Sequence, residues 1–189
     1  MANFYTVEKE INGRKIVAQF SGISTSARAA DETYIDGSDK TSLEKYAEFI
    51  FEHVIVEPKL SIKDFGADKV GETQTKTIGG VEYTAKFAGM LTAVRASDEN
   101  YNDENSNTSI EKLAAYLFEH IIVKPEKLTL DDFDTMDDFK KVVAFARDVM
   151  QGGEISKEFN EIVSFGSKVM NGQFRDSQIE SATKKASKG

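Results

Sequence analysis

Apolar positions along this chain follow two rhythms, and the first is an alternation. In "YTVEKEINGRKIVAQF", from Tyr5 to Phe20, apolar and polar residues alternate on either side of Asn12-Gly13. That dipeptide predicts a two-residue type I′ hairpin turn. Such a turn pairs Ile11 with Arg14, Lys9 with Ile16, Val7 with Ala18 and Tyr5 with Phe20. Tyr5, Val7, Ile11, Ile16, Ala18 and Phe20 then share one face, while Glu10 meets Lys15 on the other. From Thr41 the rhythm becomes helical, with Leu43, Tyr46, Ala47, Ile50, Phe51 and Val54 on one face. Thr41-x-x-Glu44 has the spacing of a capping box. Pro58 stops the helix, a few residues after the β-branched run has loosened it.

The whole pattern then recurs. Shifting the sequence by 67 positions aligns Ile11–Pro58 with Ile78–Pro125 without a gap, and 23 of those 48 positions are identical. "TSLEKYAEFIFEHVIVEP" and "TSIEKLAAYLFEHIIVKP" contain the chain's two histidines and its two prolines. The second copy predicts a hairpin turn at Gly79-Gly80, with Val81, Tyr83, Ala85 and Phe87 facing inward. Its leading strand, "ETQTKTI", is polar enough for a sheet edge. Its helix is capped by Thr108-x-x-Glu111 and carries Ile110, Leu113, Ala114, Leu117, Phe118 and Ile121 on one face. Between hairpin and helix, "RAADETYIDGSDK" and "RASDENYNDENSN" read as polar loops with at most a helical turn near Arg28 and Arg95.

A second repeat lies further on. "DDFKKVVAFARDVMQGG" from Asp137 returns as "KEFNEIVSFGSKVMNGQ" from Lys157 at a shift of 20, matching Phe139, Val143, Phe145, Val149, Met150 and Gly152 to Phe159, Val163, Phe165, Val169, Met170 and Gly172. Both stretches predict helices. Asp134 or Thr135 caps the first, which ends at Gly152-Gly153; Ser156 caps the second, which ends at Asn171-Gly172. The order A–A–B–B has two explanations. One A–B unit is nested inside another, so that the last helix packs with the first module, or the terminal helix is simply duplicated. The expected organisation is α+β: a first hairpin–helix module at 1–70, a second at 71–134, two related helices at 135–175 and a flexible polar tail at 176–189.

Composition narrows the function classes. The chain has 189 residues, 32 acidic and 24 basic side chains, a net charge of −8 and no cysteine. The charge disfavours nucleic acid and anionic membranes as partners. The lack of cysteine excludes disulfides, thiol catalysis and cysteine zinc sites. No stretch approaches a membrane span, and "MANFYTVEKE" has no signal-peptide core, so a cytoplasmic protein is expected.

Three places carry residues suited to chemistry. His53 and His120 sit near helix C-termini without metal-ligand spacing, which suits a structural role in each copy. Asp98, Asn100 and Asn102 resemble the start of a calcium loop, but Asp103 and Ser109 stand where that loop needs glycine and a bidentate glutamate. Asp131, Asp132, Asp134, Asp137 and Asp138 lie where a helix begins and negative charge is stabilising. No phosphate loop, nucleophile elbow or Ser/His/Asp grouping is visible, so neither a catalytic residue, a cofactor nor a metal is expected. Surfaces remain. Phe49, Tyr116, Phe145 and Phe165 lie beside the main helical stripes, either as part of a broad core face or as the wall of an apolar groove for a partner helix.

At "EFNEIVSFGSKVMNGQFRD", from Glu158 to Asp176, the chain resembles the tail assembly chaperones of long-tailed (siphovirus-type) bacteriophages of Gram-positive hosts. Those proteins open with a short hairpin, continue with a capped helix like "TSLEKYAEFIFEHVIV" and close with a Phe-rich helix ending in Met, Gly and "FR". Met170, Gly172, Phe174 and Arg175 fit that ending. Two features depart from the pattern: the front module is duplicated, and the first terminal helix ends in "MQGGEIS" without "FR". The resemblance implies a non-enzymatic protein of the host cytoplasm. Its partner would be the tape measure protein, a long helical client kept soluble while tail tube subunits assemble, with Phe49, Tyr116, Phe145 and Phe165 as candidate client-binding residues. It also implies a longer frameshifted form that recruits the tail tube protein. Self-association is a further expectation, although duplication does within one chain what smaller relatives achieve by oligomerising. Two other readings stand beside it: a structural tail or neck subunit, and an acidic regulatory module that mimics nucleic acid through loops such as Asp98–Asn107.

Overall fold

Asn12 and Gly13 both adopt left-handed backbone conformations, φ 49° and 73°, so the first two strands meet in the tight turn their sequence encodes. A computed structural model describes residues 4–35, 38–102 and 107–174. In chain order the elements are β1 (Tyr5–Ile11), β2 (Arg14–Phe20), α1 (Ile23–Glu32), α2 (Leu43–His53), β3 (Ile55–Glu57), β4 (Thr73–Ile78), β5 (Val81–Lys86), α3 (Met90–Glu99), β6 (Tyr101–Asn102), β7 (Asn107–Thr108), α4 (Ile110–His120), β8 (Ile122–Lys124), α5 (Met136–Gln151) and α6 (Glu154–Met170). The fold is α+β, with antiparallel sheets β1-β2-β3 and β4-β5-β8 and the short pair β6-β7. The expected tail, 176–189, lies outside the described residues, as do Arg175 and Asp103.

The β1–β2 register is the predicted one, from Ile11 opposite Arg14 to Tyr5 opposite Phe20. β4 pairs with β5 in the same way, and β4 is an edge strand as its polarity suggests. Val81 departs from the expected inner face. It is 46% exposed, whereas Tyr83, Ala85 and Phe87 are buried. It stands next to the turn, at the end of the ladder opposite Ile78.

Four elements differ from the sequence reading. One is α6, which starts at Glu154, so that Ser156 lies inside the helix and donates to the Gly153 carbonyl at 3.1 Å instead of capping it. The stretches from Ile23 and Met90, expected to be loops, are ten-residue helices. They begin at Gly22 and Gly89 without a side-chain cap, so the usual start signal is missing from the sequence. The N-caps of α2 and α4 are Ser42 and Ser109, one residue later than expected, each hydroxyl accepting from the backbone N–H three residues on. Thr41 instead bridges to Tyr34. Finally, the β-branched runs that follow α2 and α4 form third strands, β3 and β8, on the far edge of each hairpin. Val54 and Ile121, placed on the helix stripe, sit one residue past its end and offer their carbonyls to Gln19 and Lys86, both at 2.9 Å. A short extended run before proline favours a strand once a free edge is near.

The chain divides into two compact units, and the division is not the linear one. The first joins residues 1–61 to 158–189, and the second is 62–157. The two terminal helices therefore do not form a separate segment at 135–175. α5 belongs to the second unit and all but the first turn of α6 to the first. This packing is the one the nested explanation of the A–A–B–B order requires.

In the first unit the sheet and α2 bury Ile11, Ile16, Ile50 and Ile55 against Phe159, Ile162 and Val169 of α6. Phe51 meets Phe159 edge-on at 6.0 Å. Helix α6 comes closest to α2 at Gly166, where an added Cβ would lie 2.5 Å from Ile50 Cγ2 and 3.3 Å from Ile55 Cδ1. The second unit carries Leu117 and Ala146 at the corresponding positions, both fully buried. Leucine lacks the branched methyl of isoleucine, which leaves space for alanine's Cβ. That unit gathers Tyr83, Phe118 and Phe139 around Phe133, with centroid distances of 5.5–6.3 Å. Phe133 precedes α5, which is capped by Thr135 and closed by left-handed Gly152, as the sequence predicts.

Gly166→Ala is expected to destabilise the first unit by about 1–2 kcal/mol, because overpacking outweighs the gain in helix propensity. Ile50→Leu in the same chain should recover most of that loss. Urea unfolding of the two single variants and the double variant measures the coupling, expected at about 1 kcal/mol or more.

Candidate functional site

The off-stripe aromatics of the sequence are core residues. Phe49, Phe145 and Phe165 are 6%, 8% and 3% exposed, and Tyr116 is half-buried with its hydroxyl donating to the Thr92 carbonyl at 3.0 Å. They do not offer a partner an exposed aromatic wall. The reason is the helix pair that was read as loop. In the first unit α1 lies against α2, so α2 is covered on a second side and Phe49 falls inside a wider buried face. The Arg28 guanidinium stands 5.6 Å from the Phe49 ring and the His53 ring 4.6 Å from it. Tyr116 and His120 repeat the ring contact at 4.3 Å. Each histidine therefore finishes its own helix, beside Glu52 in one copy and Glu119 in the other.

The polar candidates resolve into local structure. Asn100 is buried and donates its side-chain amide to the Ala96 carbonyl at 2.6 Å, ending α3. Thr33 does the same for α1, donating to the Ala29 carbonyl at 2.7 Å. Asn100 is thus engaged as a helix stop, and the side chains of Asn102 and Asp103 lie outside the described residues. Asp132 accepts from both the hydroxyl and the backbone N–H of Thr129, each at 2.7 Å, which holds its carboxyl below the ordinary range. Asp138 and Thr135 cap α5 reciprocally through one hydroxyl. Burial, then the nearby Asp138 and Asp132, push the Tyr83 phenol above its usual value. Among the described residues no group of three or more His, Cys, Asp or Glu is placed to hold a metal, and no helix is long and apolar enough to cross a membrane.

An apolar recess does exist, in the first unit between strand β1 and helix α6. It has a volume of about 340 Å³ and is lined by Val7, Phe165, Ser164 and Phe174, with Glu8, Lys9, Glu161 and Lys168 around it. The rings of Phe165 and Phe174 meet edge-on at 6.1 Å. Phe165 thus contributes to the floor while remaining mostly buried by its own unit. At the rim, Lys9 binds Glu161 at 2.8 Å. Glu8 binds Lys15 at 2.9 Å, and that hydrogen bond raises the lysine above its ordinary value. Lys168, in the last turn of α6, has no ion-pair partner among the described residues.

The internal repeat supplies its own comparison. Shifts of 67 and 20 place Gln74 at the position of Val7, Asp148 at that of Lys168 and Glu154 at that of Phe174. In the second unit Lys76, the counterpart of Lys9, stands 6.0 Å from the Phe145 ring. Among the described residues the first copy combines an apolar recess with an unpaired cation, whereas the second has polar residues at these positions and its phenylalanine beside a lysine. Sequence reasoning named Phe165 but missed Val7, Phe174 and Lys168. Their signal was the difference between copies at repeat-equivalent positions.

Phe165→Asp and Phe145→Asp are each expected to unfold the unit that contains them, at a cost above about 3 kcal/mol for a buried, unpaired carboxylate. Amide hydrogen exchange should show protection lost from β1, β2, α2 and α6 in the first case, and from β4, β5, α4 and α5 in the second.

Against known proteins, no family model, no curated protein and no solved structure matches the chain.

Proposed function

We propose that this chain is a non-enzymatic tail assembly chaperone of a long-tailed bacteriophage, holding the tape measure protein soluble in the host cytoplasm until tail tube subunits enclose it. One observation carries the reading: the stretch from Glu158 to Phe174, where the sequence resembles that family, is the helix that completes the hairpin–helix unit, and its relative α5 completes a second one. The helix that carries the resemblance thus closes a packed unit, and this chain builds a unit of that kind twice. Two modules on one chain give a long helical client two places to be held without a second subunit. The net charge of −8 supports the same reading, since a charged exterior keeps a complex with an apolar client dispersed. Release to the tube requires many moderate contacts instead of a few strong anchors. A longer frameshifted form would then bring in the tail tube protein.

Co-expression with the tape measure protein from the same gene neighbourhood, followed by light scattering on a sizing column, tests this. A soluble complex with several copies of this chain per client is expected where the client alone precipitates. Rings or tubes of this chain that retain no client would instead establish a structural tail or neck subunit.

A further inference from the structure

The recess beside β1 borders a strand whose outer edge is free. β1 is the outermost strand of its sheet, and its ladder with β2 alternates between bonded and non-bonded pairs. The two-residue turn makes Ile11–Arg14 a bonded pair, and by alternation Lys9–Ile16, Val7–Ala18 and Tyr5–Phe20 are bonded too. The backbone N–H and C=O groups of Thr6, Glu8 and Glu10 therefore point away from β2. Among the described residues no other backbone segment bonds to them. A row of such groups is a template for an added strand. A strand laid there would send alternate side chains towards α6, into the space bounded by Val7, Phe165 and Phe174.

Charge decides what that strand carries. Of the four ionised groups around the recess, Lys9 and Glu161 neutralise each other and Glu8 is taken by Lys15. What remains is the ammonium of Lys168, on the α6 side of the recess. At the corresponding position the second unit has Asp148, and its recess-facing strand has Gln74 in place of Val7. The apolar floor and the free cation occur together in one copy and are replaced together in the other. Both copies build the same hairpin and closing helix, so the hairpin and helix by themselves do not call for the cation or for Val7. A volume of about 340 Å³ sits at the low end of the range that anchors a ligand group, enough for one large side chain and its neighbour.

We propose that the recess between β1 and α6 is a docking site for an extended peptide that pairs with the free edge of β1, seats one large apolar side chain on Val7, Phe165 and Phe174, and places a carboxylate against Lys168. The partner is a strand-forming segment with an acidic residue on the same face as its apolar anchor. This does not depend on the identity of the helical client, since it requires an extended backbone and not a helix.

The test uses the full chain. A random octapeptide display library is selected on it, and the leading peptide is labelled and titrated by fluorescence anisotropy. The expected consensus is a large apolar residue with aspartate or glutamate two positions away. Lys168→Glu should weaken that peptide about five- to tenfold, and replacing the peptide's acid by lysine should restore its affinity for the variant. Proline at a position whose N–H faces β1 should abolish binding, because it removes a ladder donor, whereas proline at the alternate, outward-facing positions should be tolerated. Restoration by the lysine peptide also shows that the variant is folded. No enriched consensus, equal affinity for the Lys168→Glu variant, or a consensus that tolerates proline at adjacent positions alike or reads as an amphipathic helix would overturn the proposal.

Discussion

The first unit depends on a single close approach: helix α6 can lie against α2 because residue 166 has no side chain. An ideal Cβ there would come within 2.5 Å of an isoleucine methyl, a distance that real carbon contacts do not reach. On the same helix Phe159 and Ile162 are fully buried, and Phe159 meets Phe51 of α2. A three-stranded sheet with one helix on it still leaves apolar surface open that a further element must cover. The missing cover comes from the far end of the chain. The glycine lowers helix propensity by about 1 kcal/mol relative to alanine, a cost that the packing it permits has to exceed.

The second unit meets the same requirement with different chemistry. Its covering helix follows almost directly in sequence, and Leu117 and Ala146 replace the isoleucine–glycine pair. Aromatic rings around Phe133 fill the space on the α4 side. The two copies thus share a plan of register, caps and third strands while differing in how their interiors are filled. Cores tolerate such exchange when volume and patterning are kept. Even smaller devices recur, such as the paired helix stops made by Thr33 and Asn100, and a cis peptide bond before each proline.

What the sequence made legible was whatever is local or repeated. Asn12-Gly13 and the alternation around it encode the hairpin register, and the repeat at 67 transfers that register to Gly79-Gly80. The second repeat pointed to the nested packing without deciding it, since a tandem helix duplication has the same signature. Helices α1 and α3 were hidden because Gly22 and Gly89 supply no side-chain cap and their interiors are rich in Ser, Ala and Asp. The third strands were hidden because Ile55 and Ile122 continue an apolar run that a helix stripe also explains. Of the two readings open for the aromatics at 49, 116, 145 and 165, the broad core face fits their burial, as two partner surfaces widen a buried face that one would leave narrow. Val7, Phe174 and Lys168 come from opposite ends of the chain, and no local pattern joins them.

The first unit is discontinuous, and this orders events during synthesis. By the time Lys157 has left the ribosome, every residue of the second unit is available to fold. The first unit was translated earlier but still lacks its closing helix. Its hairpin and α2 must wait with an uncovered apolar face until the stretch through Met170 emerges. The part of the protein made first is therefore the last to mature, and the inserted unit serves as a folded spacer that is complete before the two halves of its host can meet.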